Sequence, residues 1–232
     1  MGLDIGIYRK WKVSDNFQEY LKDPSLKQER VYKETEVMYL RKANQIHRYF
    51  IENFANGDKE ASEVKVELAD LLKLKTICLR ILKETETEKG LVNNGWGSTT
   101  YKSTERIILA KQVGNKFEQG ATKEASELEA GDLIWRTPDS ADKVKSTELG
   151  STLRVEYDCL FCEKRMKNPL LAQTLLPTQD GFFFGSTDYD EWYLEDLKSY
   201  VEQVKIIEKE HKDLVESGIP EYDIQYVYWA SW

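Results

Sequence analysis

Apolar and polar residues alternate at the start of the chain. Leu3, Ile5 and Ile7 share one side of residues 3–8, which is the period of a strand. Gly2 and Gly6 leave room there for close approach of another backbone. A helical segment or loop is expected over 14–21, stopped by Pro24. Residues 30–35 have the β-branched and aromatic character of a short strand. From 36 to 54 the period changes. Tyr39, Leu40, Ala43, Ile46, Phe50 and Phe54 recur at helical spacing, and Asn56-Gly57 supplies a helix end. Residues 63–67 alternate as a short strand. A second helix follows over 68–85, its stripe of Leu68, Leu71, Leu72, Leu74, Cys78, Leu79, Ile81 and Leu82 being wider than one buried face needs.

From residue 86 to about 152 the chain is polar, charged and rich in Gly, Ser and Thr. Its apolar islands at 107–109 and 133–135 read as strands that could pair with each other or serve a partner. Gly131-Asp132 reads as the turn before the second. Strand alternation returns over 153–162, with Leu153, Val155, Tyr157, Cys159 and Phe161 on one face. The stretch 175–197, LLPTQDGFFFGSTDYDEWYLEDL, organises the rest. Phe182, Phe183 and Phe184 cannot all face one side of a strand, so a centrally placed strand covered on both faces is expected. Thr187 then reads as an N-cap, with Asp190 completing a capping-box-like start. The helix that follows, about 189–216, would be roughly 40 Å long. Trp192, Tyr193, Leu197, Tyr200, Val201, Val204 and Ile207 make its stripe, and Gly218 with Pro220 ends it. The aromatic end IQYVYWASW, residues 224–232, reads as a strand that must pair to avoid aggregation, beside the N-terminal strand. The pattern predicts an α+β fold: one domain over 1–232, a mainly antiparallel sheet with three principal helices, and a β-rich or irregular insertion at 87–153 with little core of its own.

Composition narrows the function. With 41% hydrophobic and 12% aromatic residues, the 232-residue chain is expected to fold. A formal net charge of −8 argues against binding a nucleic-acid backbone and permits a basic protein partner; a nucleic-acid mimic is a further possibility, less favoured than ordinary solubility. No apolar run reaches the ~20 residues of a membrane span. No secretory signal is read at the N-terminus, and Gly6 stands where a myristoylation motif wants Ser or Thr. Three cysteines without a signal fit a reducing cytoplasm.

The candidate ligand site begins on the expected first helix, where Arg41, Asn44 and Arg48 follow at spacings of three and four and share a face; His47 neighbours Asn44 and falls in the apolar stripe between Ala43 and Phe50. Arg41 would bind a phosphate or carboxylate and His47 would donate a hydrogen bond or act as acid–base. The alternative is a satisfied core His–Asn pair with solvated arginines. Asp188 and Tyr189 are the expected counterpart, Asp188 pairing with Arg41 or orienting His47. The helix dipole alone also accounts for carboxylates there. Thr178 and Ser186 read as local turn hydrogen-bonders. Trp96, in a Gly-rich turn that is not a phosphate loop, and Trp135 are candidate partner contacts. Cys159 and Cys162 have CxxC spacing, but the chain lacks a second ligand pair, so neither zinc nor a thioredoxin-like role is expected. No GxSxG, HExxH or paired-carboxylate motif occurs, and two histidines leave little for a catalytic triad.

The opening MGLD-[IM], the segment YLRKANQIHRYF at 39–50, LLPTxxGFFFGSTxYD at 175–190 and the aromatic end closing on Ser231-Trp232 together resemble a family of uncharacterised bacteriophage and prophage proteins. The resemblance covers about 1–85 and 170–232; the acidic, Lys-rich middle departs from the compact members. It implies a phage-type accessory protein in the host cytoplasm. The expected role is binding and modulating a host component, possibly a defence-system protein, without catalysis or cofactor. The alternative expectation is a pocket protein that binds or processes a phosphorylated or nucleotide-like ligand around Arg41 and His47.

Overall fold

The computed structural model describes residues 2–15, 22–23, 30–58, 63–181 and 184–232. Its elements, in chain order, are β1 (Asp4–Asp15), β2 (Arg30–Arg41), α1 (Asn44–Phe54), β3 (Glu63–Val66) and α2 (Leu68–Glu84). Six strands follow: β4 (Thr87–Tyr101), β5 (Arg106–Val113), β6 (Lys116–Glu124), β7 (Leu133–Thr137), β8 (Ser140–Leu149) and β9 (Leu153–Met166). Then come α3 (Leu170–Leu175), α4 (Glu191–Glu216) and β10 (Ile224–Ser231). The fold is α+β, with two antiparallel sheets. The chain divides into two compact units: Met1–Glu84, Leu170–Phe184 and Leu194–Trp232 in one, Thr85–Pro169 and Gly185–Tyr193 in the other.

The first unit is built on a four-stranded sheet ordered β2-β1-β10-β3. The C-terminal strand pairs beside the N-terminal one along its whole length, from Asp4↔Ser231 to Trp11↔Ile224. Alternation decides which side chains are buried. Ile5, Ile7, Arg9 and Trp11 of β1 and Tyr226, Tyr228 and Ala230 of β10 all point to the helical side and are buried. α1 covers this face with Ile46, His47 and Phe50, and Phe50 stacks on Tyr228 at 4.4 Å. α4 covers it with Leu197, Tyr200, Val204 and Ile207, all fully buried at spacings of three and four. Tyr200 also donates to the Leu71 carbonyl of α2. On the other face Gly6 permits a close approach: a Cβ there would stand 2.5 Å from the Met38 carbonyl oxygen and 2.6 Å from the Trp229 indole nitrogen. The β2 edge is not left open at Tyr39. Its N–H donates to Gln203 Oε1 (3.0 Å), and its carbonyl accepts from Gln203 Nε2 (3.1 Å).

The expected helix over 36–54 is half strand. β2 runs to Arg41, and the helix begins only at Asn44. Val37 to Leu40 is an unbroken apolar run that suits either period. Pairing settles it, with Met38 opposite Ile7 and Leu40 opposite Ile5. Lys42, at φ 61°, turns the chain between the two elements, and its N–H donates to the Leu3 carbonyl. Of the expected Phe strand, Phe182 and Phe183 lie outside the described residues; Phe184 is buried in a bend, not in a strand. Most of the segment expected at 14–21 also lies outside them. α2 buries a narrow stripe of Leu71, Leu74, Cys78 and Ile81 while Leu79 stays exposed, so it is not covered on several sides. Asp190, not Thr187, caps α4: its Oδ1 accepts the Tyr193 N–H at 3.0 Å.

The second unit is a six-stranded sheet ordered β4-β9-β8-β7-β5-β6. It differs from the expected 87–153 insertion in extent and in substance. β9, whose beginning was expected in the main domain's sheet, pairs with β4 from Thr87↔Met166 to Tyr101↔Leu153. The islands at 107–109 and 133–135 do meet, through Leu109↔Ile134. Tyr101, Ile107, Ala125, Leu128, Ile134, Val144, Leu153 and Val155 form a core of the unit's own. Each island alone is too short to bury anything; the core appears only when strands far apart in sequence bring them together.

Candidate binding cleft

The residues singled out in the sequence separate into three places. Asn44 and His47 meet in the core of the first unit. Asn44 is buried and grips the chain before α4 with both ends of its amide. Nδ2 donates to the Phe184 carbonyl (3.1 Å), and Oδ1 accepts the Gln179 N–H (3.0 Å). His47 is fully buried, its Nδ1 2.6 Å from the Tyr228 hydroxyl. Phe184 and Trp232 stand edge-on to its ring at 5.2 and 5.6 Å. Its Nε2 has no hydrogen-bond partner among the described residues. Burial lowers its pKa from the ordinary 6.5 to about 4, so it is neutral at pH 7. Arg48 follows the same tether, donating to the Thr178 carbonyl (3.0 Å).

Arg41 does not share a helix face with them. It ends β2, is exposed, and sits 3.8 Å from Asp4. Asp188 and Tyr189 belong to the second unit. The Asp188 carboxylate accepts the Asn93 N–H, its own N–H donates to Ser186 Oγ, and burial raises its pKa. Tyr189 lies against Tyr193, with ring centres 5.0 Å apart. Trp96 is 57% exposed just after the irregularity in β4, and Trp135 is half-buried in β7 opposite Ala141. Cys159 and Cys162 are free and half-buried. Among the described residues no group of three or more His, Cys, Asp or Glu side chains could hold a metal ion. Among those residues no helix is long and apolar enough to cross a membrane.

The first unit has a cleft of about 970 Å³ at the other histidine. Tyr226 sits two residues before Tyr228 on the same buried face of β10. It repeats the arrangement at His47: its hydroxyl is 3.0 Å from His211 Nδ1, with the two rings nearly parallel. Burial pushes the Tyr226 hydroxyl up to about 12, against the pull of Arg9. Arg9 is opposite Tyr226 in register, is itself buried, and donates through Nη1 to Glu210 (2.9 Å). The far side of His211 is different from that of His47. Nε2 points toward Glu221, 3.7 Å away and exposed, at the wall of the cleft.

The other walls come from the turn between β3 and α2 and from the short 3-10 turn before β10. Glu67 stands on the first and Asp70 in the first turn of α2 next to it, with Asp70 Oδ2 accepting the Glu67 N–H (2.9 Å). Glu221 and Tyr222 stand on the second, Tyr222 being 80% exposed. Phe54, Val66, Leu68 and Ile224 give an apolar lining, and Lys65 is the lining lysine. Three carboxylates against one lysine, over apolar side chains and beside an open tyrosine ring, suit a ligand with an apolar stem and a cationic head. His211 lay one step beyond the expected stripe. Extending the three–four spacing from Leu197, Tyr200, Val204 and Ile207 reaches it, so the signal was present. The acids come from two separate stretches, 67–70 and 221, and carry no common motif. No protein-family model, curated protein or solved structure matches this chain.

Proposed function

We propose that the protein acts by binding, and that the cleft beside His211 receives a positively charged group of its partner. The observation that carries this is the lining: Glu67, Asp70 and Glu221 face one cleft over an apolar floor. The net charge of −8 favours approach of a basic partner over the whole surface. The acidic lining disfavours a phosphorylated ligand there, and Arg41 is engaged by Asp4. In the setting implied by the family resemblance, the partner is a basic host protein whose activity a phage-type accessory protein modulates. Exposed Trp96 in the second unit is a second contact for that partner.

The test is an NMR titration with N-acetyl-lysinamide and, separately, N-acetyl-argininamide. Resonances of His211 and of residues 224–226 should shift. The response should weaken with salt and vanish in the Glu67→Gln, Asp70→Asn, Glu221→Gln triple variant. Shifts elsewhere, or an undiminished response in that variant, would refute the assignment.

A further inference from the structure

β10 is longer than the strand that flanks it. On one side β1 pairs with it along all of Ile224 to Ser231. On the other side β3 covers only Tyr226 to Trp229, because the chain leaves the sheet after Val66 and turns into α2. Ile224 and Gln225 therefore project past the end of β3 with no strand beside them on that side among the described residues; the Ile224 N–H donates back to the Glu221 carbonyl, and both residues line the cleft. Glu67, Leu68 and Asp70 bound it where the chain has turned away. The cleft occupies the space a longer β3 would have filled.

We infer that this space receives an extended segment of a basic polypeptide, which continues the line of β3 along the overhang of β10 and places one Lys or Arg side chain among the carboxylates. The inference rests on the cationic-group reading above and names the source of the cation. Three features favour a peptide over a free amine. The volume of about 970 Å³ is several times what one lysine side chain occupies, and it falls in the range of pockets that enclose larger ligands. The apolar residues Val66, Leu68 and Ile224 are at the same place as the acids, so side chains flanking the basic one have somewhere to pack. With the Ile224 N–H taken, the Ile224 carbonyl remains for a peptide N–H, so a peptide can bond the edge with its main chain while its basic side chain lies among the acids, which an isolated amine cannot do at once. The opposite edge of the sheet offers no such place at Tyr39, whose N–H and carbonyl are both taken by Gln203.

The experiment compares three probes on the full chain by calorimetry: the pentapeptide Ac-Thr-Val-Lys-Val-Thr-NH2, the same peptide with both valines replaced by proline, and N-acetyl-lysinamide. Proline removes main-chain donors while keeping the charge. The valine peptide should bind about fivefold more tightly than N-acetyl-lysinamide, the gain expected of one added hydrogen bond. The proline peptide should lose that gain. Glu221→Gln should weaken the valine peptide and N-acetyl-lysinamide alike. Equal affinity for all three probes would overturn strand addition and leave the cationic cleft standing. Binding of none of them would overturn both.

Discussion

Replacing Asn44 by leucine tests whether the family-like segment at 39–50 serves structure or ligand. The substitution keeps the branched outline of the side chain, with methyls somewhat bulkier than the amide atoms, and removes the amide's bonds to Phe184 and Gln179. The Phe184 carbonyl and the Gln179 N–H would remain buried, since both residues are 7% exposed, and each would lack its partner. An orphaned buried polar group costs about 1–3 kcal/mol. For two such groups, with some relief from local movement, we expect a loss of about 3 kcal/mol. That is a large part of the roughly 5–15 kcal/mol that holds a typical domain together. Asn44→Asp sharpens the test: it keeps an acceptor for Gln179 but turns a second oxygen toward the Phe184 carbonyl. Its cost should be at least as large at neutral pH and should ease in acid, where a protonated carboxyl can donate.

Urea unfolding reads the total, but the two units can unfold separately, which blurs a single transition. Amide hydrogen exchange is therefore the sharper assay. The Gln179 N–H should lose protection in Asn44→Leu, while amides in the β4–β9 ladder should keep theirs. A leucine variant within ~0.5 kcal/mol of the parent, the margin usual for inconsequential substitutions, with Gln179 still protected, would refute the tether. It would reopen Asn44 as a ligand-binding side chain.

Acid should act on the two units in opposite directions. The unfolded chain protonates His47 near 6.5 and the folded chain near 4, so the unfolded state holds more protons between those values. This contribution is complete above pH 6.5 and is lost toward pH 4, on the order of 3 kcal/mol. Asp190 titrates near 6 folded against 3.8 unfolded, so its contribution grows as pH falls from 6 toward 3.8, again on the order of 3 kcal/mol. Hydrogen exchange followed from pH 7 to 4 should show the first unit loosening and the second not; uniform loosening would contradict the assignment. Gly6→Ala should cost about 1–3 kcal/mol, the range for overpacking, and change Trp229 fluorescence, since the new methyl meets the Met38 carbonyl and the indole. Its failure to do either would mean the strands separate freely there. Gln203→Ala should speed exchange at the Tyr39 amide and cost about 1 kcal/mol; unchanged exchange would show that the edge has another cover.

How much of this was legible in the sequence depends on whether a feature is local. β1, β3, α2 and β10 each carry their own period, and the pairing of the two chain ends follows from the need to cover an aromatic strand. The boundary between β2 and α1 is not local. Residues 37–40 satisfy both periods, and only Ile5 and Ile7 across the sheet select the strand. That one boundary displaced Arg41 from the helix and broke up the expected Arg41–Asn44–Arg48 face. The second unit's core was invisible for the same reason, because Ile107, Ile134 and Val155 lie in different strands and look like isolated apolar residues in polar sequence. In the candidate cleft, the periodic member, His211, could be found by extending a helix stripe, whereas Glu221 joins the local pair Glu67 and Asp70 only through the fold.

The two histidines supply an internal comparison. Both present Nδ1 to a tyrosine hydroxyl on one buried face of β10, at Tyr228 and Tyr226. Any difference between them must then come from what lies over Nε2. At His47 the aromatic rings of Phe184 and Trp232 stand beside the imidazole, and Nε2 has no described partner. At His211 the same atom faces Glu221 and an open cleft. A buried imidazole sealed by rings is a packing element whose proton uptake opposes folding. One whose second nitrogen meets a carboxylate at a cleft wall can report on, and hold, a charge that arrives from outside. Imidazole resonances should show the division directly: basic probes should move the His211 signals and leave those of His47 in place. Coupled movement of both would mean that β10 transmits the event between its two tyrosines, and the closed site would no longer serve as the control for the open one.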